Sequence, residues 1–239
     1  MSDAFFEREL SSLKERGLLR DLSVSSQTGG EDGDGDCFLN FSSNDYLGLA
    51  RDPRLKDAAK RAIDEFGSGA TASRLLAGNT ELHEQLEADL ARMMGTEAAL
   101  VFGSGFLTNL GVLSSIAGLG DEVFSDNLNH ASIIDGIRLS RAHCSRYAHN
   151  ELDHLESLLK KRETKGKRII VSESVFSMDG DIAPVAGLAD LAERYGALLI
   201  IDEAHAIGVT GVRGGGVCRQ IPENEAHPDV VVGTLSKAL

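Results

Sequence analysis

Residues 168–205, RIIVSESVFSMDGDIAPVAGLADLAERYGALLIIDEAH, decide the fold. Two apolar runs, RIIVSES (168–174) and ALLIIDEA (197–204), flank a stretch at 185–195 whose apolar residues return at helical spacing. A strand that is apolar on both sides is buried on both faces. Strand, helix, strand in that order fits a mainly parallel sheet covered by helices. Each run ends in polar, ionisable residues, Glu173 to Ser177 after the first and Asp202 to His205 after the second. In open α/β sheets, ligands bind outside these carboxyl ends.

The pattern extends in both directions. AALVF (98–102), EVFSD (122–126) and DVVVGT (229–234) read as further strands, with helices predicted at 106–117, 131–141 and 151–163. The expected class is α/β, a mainly parallel sheet with helices on both faces. Upstream, Asp52-Pro53 caps RLKDAAKRAIDEFG, stopped by Gly67, and Thr80 caps ELHEQLEADLARMMG, stopped by Gly95. Residues 3–22 read as one amphipathic helix, and SVSSQTGGEDGDGDC (23–37) as a linker whose Gly, Ser and Asp cannot build a core. The expected division is an N-terminal helix and acidic linker at 1–37 and a ligand-binding domain at 38–239.

Of the 239 residues, 42% are hydrophobic and 26% charged, and the net charge is −13. Such a surface suits neither nucleic acid nor an anionic membrane. The N-terminus lacks the basic and apolar regions of a signal peptide, and no stretch reaches the ~18 apolar residues of a membrane span. Cys37, Cys144 and Cys218 lie far apart and form no C-x-x-C, which points to reduced thiols in a cytoplasmic protein.

Several residues could do chemistry. Asp202 is a carboxylate at the end of a buried run, so it needs a partner; a turn cap and a protonated ring nitrogen serve equally, and Asp-x-x-His also spaces metal ligands, without a third ligand in context. Lys237, in GTLSKAL, is a surface lysine by default, but in an apolar-walled site it could form an imine with an aldehyde cofactor. FGSGF (102–106) offers bare amides at a strand-to-helix turn, where a phosphate can bind, although glycine also serves the turn itself. His130 opens a predicted helix and is either a structural cap or a ring that stacks and carries protons. GVRGGG (211–216) reads as a flexible loop.

The passages SSNDYLGL, SRLLAGNTELHEQLE, ALVFGSGFLTNLGVL, NHASIIDGIRLSRA, ESVFSMDGDIAPV, ALLIIDEAHAIGVTGVRG and GTLSKAL together resemble the α-oxoamine synthases, a family of fold-type I pyridoxal-phosphate enzymes. The resemblance implies that Lys237 forms the Schiff base with the cofactor, Asp202 pairs with the pyridine nitrogen, and His205 and Ser177 lie by the ring's 3′ oxygen. It implies that His130 stacks on the ring, and that Gly105, Phe106 and Thr234 serve the phosphate. Arg20 matches an arginine used toward the acyl substrate, and Asn44 and Glu173 are expected near the site. Such enzymes condense an amino acid with an acyl thioester and release carbon dioxide, with the freed lysine as base.

SRLLAGN (73–79) resembles the oxononanoate-forming branch, which implies L-alanine and pimeloyl-CoA or pimeloyl-acyl carrier protein as substrates, in biotin synthesis, on a homodimer. Branches using glycine or serine, an inactive fragment and a non-catalytic subunit are the alternatives. The family continues well past its lysine into a small C-terminal domain, whereas Leu239 is two residues beyond Lys237. The large domain is therefore expected to be incomplete, Lys237 to lack a fixed position, and the 239-residue chain to be inactive.

Overall fold

A computed structural model describes residues 3–22, 40–162 and 164–239. The chain divides into two compact units, residues 1–43 and 44–239.

In the first unit, α1 (Asp3–Glu15) is shorter than the helix expected over 3–22. Gly17, at φ 66°, turns the chain out of the helix, and the Leu13 carbonyl accepts from the Leu18 amide at 2.8 Å. The linker expected at 23–37, with Cys37, lies outside the described residues.

The second unit opens with α2 (Pro53–Phe66), where Asp52 accepts from the Arg54 amide and Gly67 ends the helix. α3 (Glu81–Met94) follows Thr80, whose amide donates to His83 Nδ1 at 3.2 Å. Next come α4 (Gly105–Ile116), β1 (Glu122–Asp126), α5 (Ala131–Ser140), β2 (His143–Tyr147), α6 (Leu152–Lys161), β3 (Arg168–Glu173), α7 (Val185–Tyr195), β4 (Ala197–Asp202) and β5 (Val230–Val232). The strands pair in parallel in the order β2-β1-β3-β4-β5.

Alternation along each strand divides the core. Ile169, Val171 and Ile200 pack with Leu113 of α4 and Ile133 and Ile137 of α5; Ile170, Leu199 and Ile201 face Leu155 and Leu159 of α6 and Leu188 of α7. With both faces covered, binding is left to the strand ends. After β2 on one side of β1, the chain returns as β3 on the other, so the switch point falls between β1 and β3.

Two expectations need correction, and one strand lies where none is expected. AALVF (98–102) forms no strand, because side chains hold its backbone: the Val101 amide donates to Glu87 Oε1 at 2.7 Å and the Val101 carbonyl accepts from Arg74 Nη1 at 3.2 Å. HCSRY, by contrast, is the edge strand β2, which tolerates polar side chains because several stay exposed. The 211–216 loop is tied down: the Gly214 carbonyl accepts from the Gly208 amide at 2.8 Å and the Gly216 amide donates to the Thr210 carbonyl at 3.0 Å. Among the described residues no helix is long and apolar enough to cross a membrane.

Candidate active site

At the switch point, the loop after β1 is stitched to β3. Asn129 Nδ2 donates to the Val171 carbonyl at 2.9 Å, its Oδ1 accepts from the Glu173 amide at 3.1 Å, and the His130 amide donates to Glu173 Oε1 at 2.6 Å. Glu173 stands in register with Asp202 on β4, so two carboxylates share one sheet end. Burial first, then the neighbouring Asp202 charge, push the Glu173 carboxyl up to about 7.

Asp202 is only 6% exposed. Oδ1 accepts from the Ala204 amide at 2.9 Å, as a turn cap does, and Oδ2 accepts from Asn109 Nδ2 on α4 at 2.7 Å. The same Nδ2 donates to Ser132 Oγ at 2.9 Å, and Ser132 Oγ lies 2.8 Å from His130 Nδ1. His130 caps α5 through its side chain, so its structural role is real, and its ring meets the edge of Phe106 with centroids 6.4 Å apart.

Lys237, in the segment after β5, is half-buried with Nζ 2.7 Å from His205 Nε2. Tyr46 joins His205 to Asn44: its hydroxyl donates to Asn44 Oδ1 at 3.1 Å and lies 2.8 Å from His205 Nδ1. That hydroxyl has one hydrogen, so His205 Nδ1–H donates to it and Nε2 accepts from Lys237. Burial, then the Lys237 charge, lower the His205 pKa, and burial lowers that of Lys237 against the pull of Asp202 and Glu173. Both bases are thus shifted toward neutrality. The expectation of an unfixed lysine fails, since Ala238 is 2% exposed and a Cβ on Gly208 would stand 3.1 Å from that of Ala238.

Gly105 and Thr234 face one another, since a Cβ on Gly105 would lie 3.5 Å from Thr234 Oγ1. The first amides of a helix have no intrahelical acceptor, and Ser104 Oγ takes only that of Leu107, leaving Gly105 and Phe106 as donors. The Ser177 amide supports Glu173, and the residue is exposed. Arg20 is an exposed residue of the first unit. Sequence reading missed Asn109, Ser132 and Tyr46; an asparagine inside the apolar helix GFLTNLGVLSSI was the one local signal.

A parallel sheet whose carboxyl ends gather a lysine, two carboxylates and two histidines defines a class, and residues 37–239 match the family aminotransferase class I and II. The chain belongs to that family. Its relatives are α-oxoamine synthases. It is 50% identical to 8-amino-7-oxononanoate synthase of Geotalea daltonii, over 98% of this chain and 60% of that one, and 49% identical to that of Geobacter sulfurreducens, over 97% and 59%. Among solved structures, serine palmitoyltransferase of Sphingomonas wittichii superposes with TM-score 0.84 at 36% identity, covering 99% of this chain and 60% of that one. The 8-amino-7-oxononanoate synthase of Francisella tularensis gives 0.68 at 33%, covering 83% and 54%. The chain therefore spans about 60% of the length of the curated relatives it matches.

Proposed function

We propose that this chain carries the pyridoxal-phosphate site of a decarboxylating acyltransferase, which condenses L-alanine with a pimeloyl thioester, on coenzyme A or acyl carrier protein, to 8-amino-7-oxononanoate. The observation that carries this is the half-buried Lys237 amine, 2.7 Å from His205 at the sheet end that holds Asp202 and Glu173. The donor set fits the cofactor: an amine for its aldehyde, a buried carboxylate for its ring nitrogen, and free amides with a hydroxyl for its phosphate. The proposal includes the cytoplasmic homodimer that the resemblance implies.

Lys237 would hold the cofactor covalently and Asp202 its ring nitrogen, with the amides of Gly105 and Phe106 and the Thr234 hydroxyl at the phosphate. His205 and Ser177 would lie by the 3′ oxygen, His130 against the ring, and Arg20 toward the acyl substrate. When bound, pyridoxal phosphate supplies an electron sink for the pair left at the α-carbon of the amino acid. The protein's own contribution begins with charge, because Asp202, fixed by donors from two elements, holds a proton on the ring nitrogen. Once the amino group of the substrate has displaced it from the cofactor, Lys237 would remove the α-proton as a neutral amine, a form that burial favours, with His205 Nε2 aiming its Nζ.

The likeness to serine palmitoyltransferases supports a second reading with another amino acid at the same site. Assaying the full chain, and a version extended to the length of its relatives, with L-alanine, glycine and L-serine against pimeloyl thioester separates the two. Release of carbon dioxide and free thiol with alanine in preference is the expected result, and preference for glycine or serine would move the protein to another branch.

A further inference from the structure

We propose that Asn109 and Ser132 are positioning residues that bind Asp202 and His130 into one directional hydrogen-bond chain, so that the group serving the ring nitrogen and the group serving the ring face are set together. The inference rests on the cofactor reading above.

The direction follows from counting hydrogens. Asn109 Nδ2 has two, directed to Asp202 Oδ2 at 2.7 Å and Ser132 Oγ at 2.9 Å. Ser132 Oγ therefore accepts from Asn109 and spends its one hydrogen on His130 Nδ1 at 2.8 Å, which also accepts from the Ser132 amide at 3.2 Å. Nδ1 is thus the accepting nitrogen of His130, which leaves Nε2 as its N–H. At the other end, Asp202 takes one donor on each oxygen, Asn109 from α4 and the Ala204 amide from its own turn, which fixes the carboxylate plane.

Packing is arranged to permit the chain. Asn109 is 3% and Ser132 1% exposed, so an unpaired amide or hydroxyl there would be costly. Gly136, one turn beyond Ser132 on α5, lets the helices approach: a Cβ there would stand 2.8 Å from the Asn109 carbonyl oxygen. Nothing in a core contact between α4 and α5 needs an amide, and leucine would suit it better. The amide is explained by the carboxylate and hydroxyl it joins.

The test is cofactor affinity, read from the visible absorption of pyridoxal phosphate titrated into the full chain between pH 6 and pH 8. Asn109→Leu should weaken binding about 10-fold or more at every pH, as losses of supporting partners of buried charged groups do, and Ser132→Ala roughly 3-fold. Asn109→Asp is the near-isosteric control for folding. At pH 8 its carboxylate opposes Asp202, whereas a protonated carboxyl supplies one of the amide's two hydrogens and can return it to Asp202, so its deficit relative to the parent should shrink, without vanishing, as pH falls. The other ionisable groups around this point are Glu173 from β3, His205 after β4, Lys237 after β5 and His130 at the start of α5. They are common to all variants, so comparison with the parent at each pH cancels them. Asn109→Leu within twofold of the parent, or an Asn109→Asp deficit that does not change with pH, would overturn the inference alone. No absorption change with the parent chain would overturn the cofactor reading and the inference with it.

Discussion

His149 and His205 both follow strands at the carboxyl end of the sheet, yet their surroundings push them in opposite directions. His149, after β2, lies between two carboxylates, with Nδ1 3.0 Å from Asp126 Oδ1 and Nε2 2.8 Å from Asp181 Oδ2. Burial alone would lower its pKa, but the bonds to Asp126 and Asp181 together raise it. His205, after β4, lies between a phenol and an amine, and burial with the Lys237 charge lowers its pKa. One imidazole clamps the loop after β3 to the end of β1 from between two carboxylates; the other lies beside a lysine. The carboxylates around His149 favour its charged form, whereas burial and the Lys237 amine favour the neutral form of His205.

The comparison can be broken first on the chemical side. Asp202→Asn should still bind cofactor but lose turnover on the order of 10²-fold, the scale of one strong electrostatic stabiliser. Steady-state kinetics of the extended protein measure this, and near-normal activity would reduce Asp202 to a turn cap.

Glu173 gives the next effect. Its carboxyl titrates near 4.5 when unfolded and about 7 when folded, so the native state binds the extra proton between those values. That contribution is fully present below 4.5 and is lost as pH rises through about 7, by up to roughly 3 kcal/mol at ~1.4 kcal/mol per unit. Glu173→Gln keeps an acceptor for the His130 amide and should abolish this fall in denaturant titrations of the cofactor-free chain. Parallel curves for parent and variant would contradict the shift.

The smallest effect lies on the structural side. His149→Ala should cost about 2 kcal/mol near pH 6, the scale of hydrogen bonds to charged groups. The folded pKa of His149 is raised, so its contribution is complete below the ordinary imidazole range near 6.5 and fades as pH climbs through the folded value. Thermal melts at pH 6 and pH 9 should therefore converge for parent and variant, and a difference that grew with pH would mean His149 is not a cation in the fold.

The sheet was legible where burial dictates composition. RIIV, ALLII and DVVV sit at β3, β4 and β5 because both faces of those strands are covered. β2 was hidden because an edge strand can be as polar as HCSRY, and AALVF misled because apolar residues also line a segment held by Arg74 and Glu87. Asp202, His130 and Lys237 were visible as ionisable residues after strands. Their partners were not, because the contact of Tyr46 with His205 spans 159 residues and that of Asn109 with Asp202 spans 93. Local spacing carries no trace of such pairs. The histidine clamp escaped for the same reason, since Asp126 and Asp181 reach His149 only once β1, β2 and β3 lie side by side.

The central claim is that Lys237 is the attachment point of a pyridoxal-phosphate site at this sheet end. Incubation of the chain with pyridoxal phosphate, borohydride reduction and peptide mapping tests it most directly. A pyridoxyl label on Lys237, lost in Lys237→Ala, is the predicted result; a label confined to another lysine, or spread evenly over the surface lysines, would contradict it.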